Sequence, residues 1–362
     1  MSLLALVLAA QAAGGGVGTQ LPPAPVRMWN VAWQRQLVPP APLEWRPREL
    51  GGPAVDPTSG LVVVGTRDGW LHARDPDGAR IWDFEAGGRF EAAPRIDADV
   101  AYAGSSDGRL YAVELTTGRL RWKYDAQEEV GTTPVVAAGL VLVMTLQDTL
   151  VAVDVKTGAW KWHHRRESRE GFTIRGAANV IVSGGLAIGA YSDGTVAALD
   201  VVTGTVKWER KVAPAGDFVD VDGLRAEGGR LYAAAYSGAI YGLDVQTGHQ
   251  LWEAKIPAAS RLALGGGTLV AVTATQVIGI GPQDGTTRWT LPLEGVPAGD
   301  PVILGGRAAV PNTKGLLWID ASSGRLLRVF NPGTGVSAPP GWRGGRIYVL
   351  SNAGDLLALD LS

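Results

Sequence analysis

A short unit recurs along this chain about every forty positions, from residue 53 to residue 362. Each copy ends in a Thr-Gly turn followed four residues later by tryptophan. The clearest copies are residues 110–122 (LYAVELTTGRLRW), 150–162 (LVAVDVKTGAWKW), 196–208 (VAALDVVTGTVKW) and 240–252 (IYGLDVQTGHQLW). Weaker copies end at Trp82, at Trp289 and, with an aromatic kept but not the indole, at Phe330. A repeat of this length in a strand-rich chain predicts a β-propeller.

The order inside each unit is constant. A proline or small residue opens it, as at Pro94, Pro134 and Pro301. An apolar strand follows, such as residues 140–144 (LVLVM) or 231–235 (LYAAA). An Asp-Gly turn (Asp68-Gly69, Asp107-Gly108, Asp193-Gly194) leads into an alternating strand. Asp-Gly between alternating strands is a hairpin signal, because both turn positions need positive φ. Gly118, Gly158, Gly204 and Gly248 punctuate the next hairpin. Three linked turns imply four antiparallel strands, which is one blade. A blade cannot bury both faces alone, so Trp82, Trp122, Trp162, Trp208, Trp252 and Trp289 are read as core groups docking on the next blade.

Seven unit ends are visible, and residues 345–361 (GRIYVLSNAGDLLALDL) form one more unit that lacks its last strand. Residues 28–37 (MWNVAWQRQL) carry the pattern of a last strand, with Trp33 in the tryptophan position. The expectation is an all-β, eight-bladed β-propeller of four-stranded antiparallel blades, closed by the N-terminal strand so that no sheet edge stays open. It occupies 28–362 as a single domain.

Outside the repeat, residues 3–10 (LLALVLAA) are a short apolar run, and Ala10-Gln11-Ala12 fits a small-x-small cleavage site. Residues 1–12 are read as a signal peptide and 13–27 as a flexible linker. The run is too short to span a bilayer, which takes ~20 apolar residues, so no transmembrane segment is expected in the mature chain. A net charge of −2, from 33 basic and 35 acidic residues, argues against a nucleic-acid-binding surface. There is no cysteine, hence no disulfide, thiolate metal site or lipid-anchor cysteine.

The period stretches between Trp162 and Trp252. The extra residues lie in 163–176 (HHRRESREGFTIRG) and 211–223 (KVAPAGDFVDVDG). Insertions in a propeller map to loops on one face, often the binding face. The first loop holds Arg165, Arg166, Arg169 and Arg175; the second holds Asp217, Asp220 and Asp222. The two loops pair with each other or with a partner, or remain a solvated pair whose surface ion pairs contribute little.

Two patterns imitate catalytic motifs. Residues 104–108 (GSSDG) match G-x-S-x-G, but that motif needs a strand-turn-helix setting, and the same place in other units reads GTRDG and AYSDG. His163 and His164 are neighbours on a strand, so their side chains point to opposite faces. No metal-hydrolase or phosphate-binding constellation is present. The innermost strands read mainly as Ala, Val, Leu and Gly, which predicts no convergent polar groups on the axis.

The units resemble the PQQ-type propeller repeat, with signature A-x-D-x-x-T-G-x-x-x-W. Residues 152–158 with Trp162, and 198–204 with Trp208, match it fully. That repeat occurs in quinoprotein dehydrogenases, which bring a vicinal cysteine pair, calcium ligands and added length, and in non-catalytic propellers. The chain is also similar to the BamB family of outer-membrane β-barrel assembly propellers, whose partner-binding loops carry L-R-G and D-V-D stretches. Ile174-Arg175-Gly176 and Asp220-Val221-Asp222 match these. The resemblance implies a non-catalytic, cofactor-free scaffold, monomeric outside its complex, in the periplasm at the inner face of the outer membrane. Its partner would be the periplasmic domains of the central barrel-assembly protein, contacted through Ile174, Arg175, Asp220 and Asp222. As loop residues, these are expected to be dispensable for folding. The alternatives are a quinoprotein-like enzyme or ligand-binding propeller using the central channel, and an interaction propeller with another partner.

Overall fold

The computed structural model describes residues 28–39, 48–166, 178–213, 220–236 and 238–361. The expected signal peptide and linker lie outside them. The described strands form eight four-stranded antiparallel sheets. Seven blades take their strands in chain order from the axis outward: 54–85, 95–125, 135–165, 181–211, 221–254, 261–292 and 302–330. The eighth is built from Gly341–Arg343, Arg346–Leu350 and Asp355–Leu361, with Trp29–Gln36 as its outermost strand. The molecule is therefore the eight-bladed propeller that the repeat predicts, closed across its two chain ends.

The signature residues explain themselves in pairs. In the third blade, Ala152 lies opposite Trp162 just after a bulge at Lys161. The bulge turns the indole across the small residue and toward the next blade. Gly242 and Gly279 occupy the same small position opposite Trp252 and Trp289, and a Cβ there would sit 2.2 and 2.1 Å from the ring. The N-terminal strand repeats the device: its register shifts between Val31 and Trp33, and Trp33 faces Ala358.

Each indole then docks on the last hairpin turn of the following blade. Trp162 Nε1 donates to the Val201 carbonyl at 3.3 Å, and Trp82 Nε1 donates to that of Leu115 at 2.7 Å. Trp33 closes the ring in the same manner, donating to the Pro76 carbonyl at 2.8 Å. The turn glycine is required twice. Gly204 has φ +72°, and a Cβ on it would lie 2.6 Å from the Trp162 ring. The motif Asp holds the turn: Asp154 Oδ1 accepts from Lys156 N, Thr157 N and Thr157 Oγ1, each at 3.0 Å. Those bonds hold its carboxyl down at about 2.

The seventh blade departs from the rule, and the placement of its aromatic at Phe330 needs correcting. The position opposite the small residue is Arg328, and the small residue has become Trp318. The indole is supplied from the neighbouring strand. Trp318 is fully buried and packs tilted against Trp29 at 6.4 Å, and Trp29 meets Phe330 edge-on at 5.7 Å. The reason is topological. In the eighth blade the two outer strands come from opposite ends of the chain, so no hairpin turn links them to receive an indole. An aromatic cluster fills the place.

Candidate functional site

The segments leading into the innermost strands meet around the axis and enclose a cavity of about 310 Å³. Its lining comes from all eight blades and includes Leu50, Glu91, Thr133, Asn179, Asp222, Arg261, Asp300 and Ser337. The expectation of an apolar axis is corrected here. Asp300, just before the innermost strand of the seventh blade, accepts from Arg225 Nη2 at 3.0 Å, Arg261 Nη1 at 3.4 Å and Asn179 Nδ2 at 3.4 Å. Asn179 Oδ1 in turn accepts from Thr133 N at 2.8 Å. This network ties the third to the seventh blades together across the axis. All its members but Arg225 sit at or just before the start of inner strands, where the apolar composition of strand interiors carries no information about them. The signal available in the sequence was charge at opening positions: Arg261 stands before the apolar stretch LAL, and Asp300 precedes Pro301.

The four residues singled out by resemblance divide into two groups. Ile174 and Arg175 lie outside the described residues, as does Asp217. Asp220 and Asp222 flank the start of the innermost strand of the fifth blade, Val221–Glu227. Asp220 is 1% exposed, so it is part of the folded interior rather than a dispensable loop residue. Asp222 is the extra residue of a bulge: the register shifts between Val221 and Gly223. The bulge re-aims its side chain into the axial cavity. Its Oδ1 is buried without a hydrogen-bond partner. Burial pushes its carboxyl up to about 7, the charges of Asp220 and Asp300 push the same way, and Arg261 opposes them. An acid in such surroundings is a functional candidate by the general association of perturbed groups in clefts with sites.

The basic and acidic loops do not pair through their described members. Arg165 pairs with Glu128 at 3.0 Å. Arg166 pairs with Asp193 at 3.0 Å and Glu209 at 3.1 Å. His164 Nδ1 lies 2.7 Å from the Tyr191 hydroxyl and its Nε2 lies 3.2 Å from Glu209, a contact between the third and fourth blades. Ser105 of the GSSDG stretch is fully buried in a hairpin turn, with Gly108 at φ +83°. Among the described residues no group of three or more His, Cys, Asp or Glu side chains could hold a metal ion, and no helix is long and apolar enough to cross a membrane.

The quinone cofactor of the related dehydrogenase propellers bears several carboxylates and is bound beside calcium. The axial cavity does not fit that pair. Its arginines already serve Asp300, and the carboxyls of Asp222 and Glu91 share the lining with them, which opposes a polycarboxylate. Two arginines on Asp300 likewise oppose a divalent cation there.

A family model described as outer membrane protein assembly factor BamB matches the chain over residues 26–114, 67–291 and 276–362. No curated protein matches. Among solved structures, BamB from Moraxella catarrhalis is 20% identical, with a TM-score of 0.79, over 92% of this chain and 100% of that one. Quinohemoprotein alcohol dehydrogenase from Comamonas testosteroni is 15% identical, with a TM-score of 0.74, over 93% of this chain and 77% of that one. A europium-containing methanol dehydrogenase is 14% identical, with a TM-score of 0.71, over 92% and 93%. At these identities the structural likeness speaks for the fold.

Proposed function

The chain belongs to the outer membrane protein assembly factor BamB family, and on that premise we propose that it is a non-catalytic periplasmic scaffold assisting the assembly of outer-membrane β-barrel proteins. The observation that carries this reading is the family match, which runs from residue 26 to residue 362. The misfit of the axial cavity to a quinone-calcium pair favours the scaffold over the dehydrogenase reading. The proposed partner is the set of periplasmic domains of the central barrel-assembly protein, met at the inner face of the outer membrane.

Ile174, Arg175, Asp220 and Asp222 are the proposed contact residues. The closed ring fixes the described strand ends around the axis, so those positions lose little ordering entropy on binding. Arg175 supplies a fork of donors suited to a carboxylate or carbonyl. Asp222, in the lining of the axial cavity, would receive a partner cation, and buried Asp220 would hold the segment that carries it.

The test is capture of the purified periplasmic domains of the barrel-assembly protein by the immobilised chain. Arg175→Ala is expected to keep the melting temperature and lose capture, since removing one member of a desolvated charged contact costs ~2–5 kcal/mol. Capture by this variant at wild-type strength would sink the residue assignment. Absence of capture by the unaltered chain would sink the assembly role.

A further inference from the structure

Among the charged groups that line the axial cavity, Asp222 is set apart by an Oδ1 that takes no hydrogen bond. Asp300 is answered by Arg225, Arg261 and Asn179. The remaining Nη1 of Arg225 donates to the Leu224 carbonyl at 2.7 Å. Glu91, across the cavity, pairs with Arg89 at 2.6 Å. The described hydrogen bonds and ion pairs of these arginines go to Asp300, to Glu91 and to the main chain. Asp222 Oδ1, buried in the same cavity, takes none.

A buried acceptor without a donor is costly, and a buried carboxylate more so. The fold nevertheless builds Asp222 into this place. The bulge aims it, and Gly223 after it packs so closely that a Cβ would meet Ala234, Leu262 and the Ser260 carbonyl at 3.2 Å. The groups facing Asp222 are Asp220 before it, Arg261 and Asp300 from the next two blades, and Tyr236 and Glu91 in the lining. An incoming anion would meet carboxyls and engaged arginines. An incoming cation with N–H donors would fill the empty acceptor and offset the repulsion among Asp220, Asp222 and Asp300.

We propose that the axial cavity is a binding site for a ligand carrying an ammonium or guanidinium group, anchored by Asp222. At about 310 Å³ the cavity takes one such group with its alkyl stem, either a free amine or a single Lys or Arg side chain of a bound peptide. Binding favours the ionised form of Asp222, so the fraction protonated there releases its proton to solvent. The site goes beyond the scaffold reading, because neither source of the cation has to be the barrel-assembly protein.

The experiment is calorimetric titration of the full chain in two arms. One arm uses free L-arginine and putrescine, with succinate as the anionic control. The other uses a short peptide with a central arginine, and the same peptide with citrulline in its place. Saturable binding of a cationic probe is expected, with none of succinate or the citrulline peptide. The arm that binds identifies the source. Affinity should rise about tenfold from pH 6 to pH 8 as Asp222 ionises. Asp222→Asn, with its melting temperature recorded, should weaken binding at least tenfold. The proposal is overturned if no cationic probe binds in either arm, if affinity is flat across that pH range, or if Asp222→Asn binds as wild type. The pH series on the unaltered chain keeps the test decisive even should the variant fold poorly.

Discussion

At the scale of single residues, most charged groups of this chain answer a local need, and Asp222 does not. Asp154 shows the usual case: main-chain and hydroxyl donors of its own turn hold it ionised. Asp222 is pushed to about 7 by burial first and by neighbouring carboxyls second. Its pH linkage follows from the sign of that shift. The folded state keeps a proton that the unfolded chain releases near 3.8, so the contribution favours folding at low pH and is lost as pH rises toward 7. Glu49, pushed up to about 7 mainly by burial, acts in the same direction. Asp222→Asn isolates the first of these. The variant should lose a slope of at most ~1.4 kcal/mol per pH unit between pH 4 and pH 7, and should be at least as stable as wild type at pH 8. Urea denaturation across that range measures it. An identical slope in both proteins would show that Asp222 ionises normally.

At the scale of elements, the working joint is one outer strand against one turn of the next blade. The bulge before the tryptophan, the small residue opposite it, the turn carbonyl and the turn glycine act together, so no single part can change freely. Trp162→Ala removes a buried indole and leaves the Val201 carbonyl without its donor. A destabilisation of ~3–5 kcal/mol is expected, as for other large core deletions. Chemical denaturation reads it, and a loss below ~1 kcal/mol would mean that the indole adds little to blade adhesion. The seventh blade shows the joint rebuilt. Where no turn exists to receive an indole, Arg328 stands in the tryptophan position and Trp318 fills the gap from the adjacent strand.

At the scale of the whole molecule, the ring is held at its seam by Trp29–Gln36 pairing with Asp355–Leu361. Trp33 ties that strand onward to the first blade through Pro76 and Gly78. Deleting residues through 37 opens a sheet edge and exposes the face that Trp33 covered. The melting temperature should fall by roughly 10 °C or more relative to a chain deleted only through residue 27, given 2–4 °C per kcal/mol for domains of 150–250 residues. Equal melting of the two would mean that closure contributes nothing to stability. A closed ring is also what makes the axial cavity a fixed shape, since its lining is drawn from every blade.

What the sequence determined by itself was the part of the structure built from near neighbours. Blade number, four strands per blade, the tryptophan docking and even the seam at Trp33 follow from turn chemistry and alternation, which act over a few residues and repeat. The Phe330 reading failed where counting four positions past Gly324 reaches Arg328 instead. The cavity was decided by tertiary structure alone. Asn179 and Asp300 are 121 positions apart and touch only because the ring brings the fourth and seventh blades to one axis. Asp222 reads in the sequence as a loop residue beside other acids. Only a bulge at the edge of the innermost strand, set by pairing with Ala234 and Ala235, turns it into the axial cavity and buries its Oδ1. Local patterns encode the blades, while the chemistry at the axis depends on which far-separated strand ends the closed ring makes neighbours.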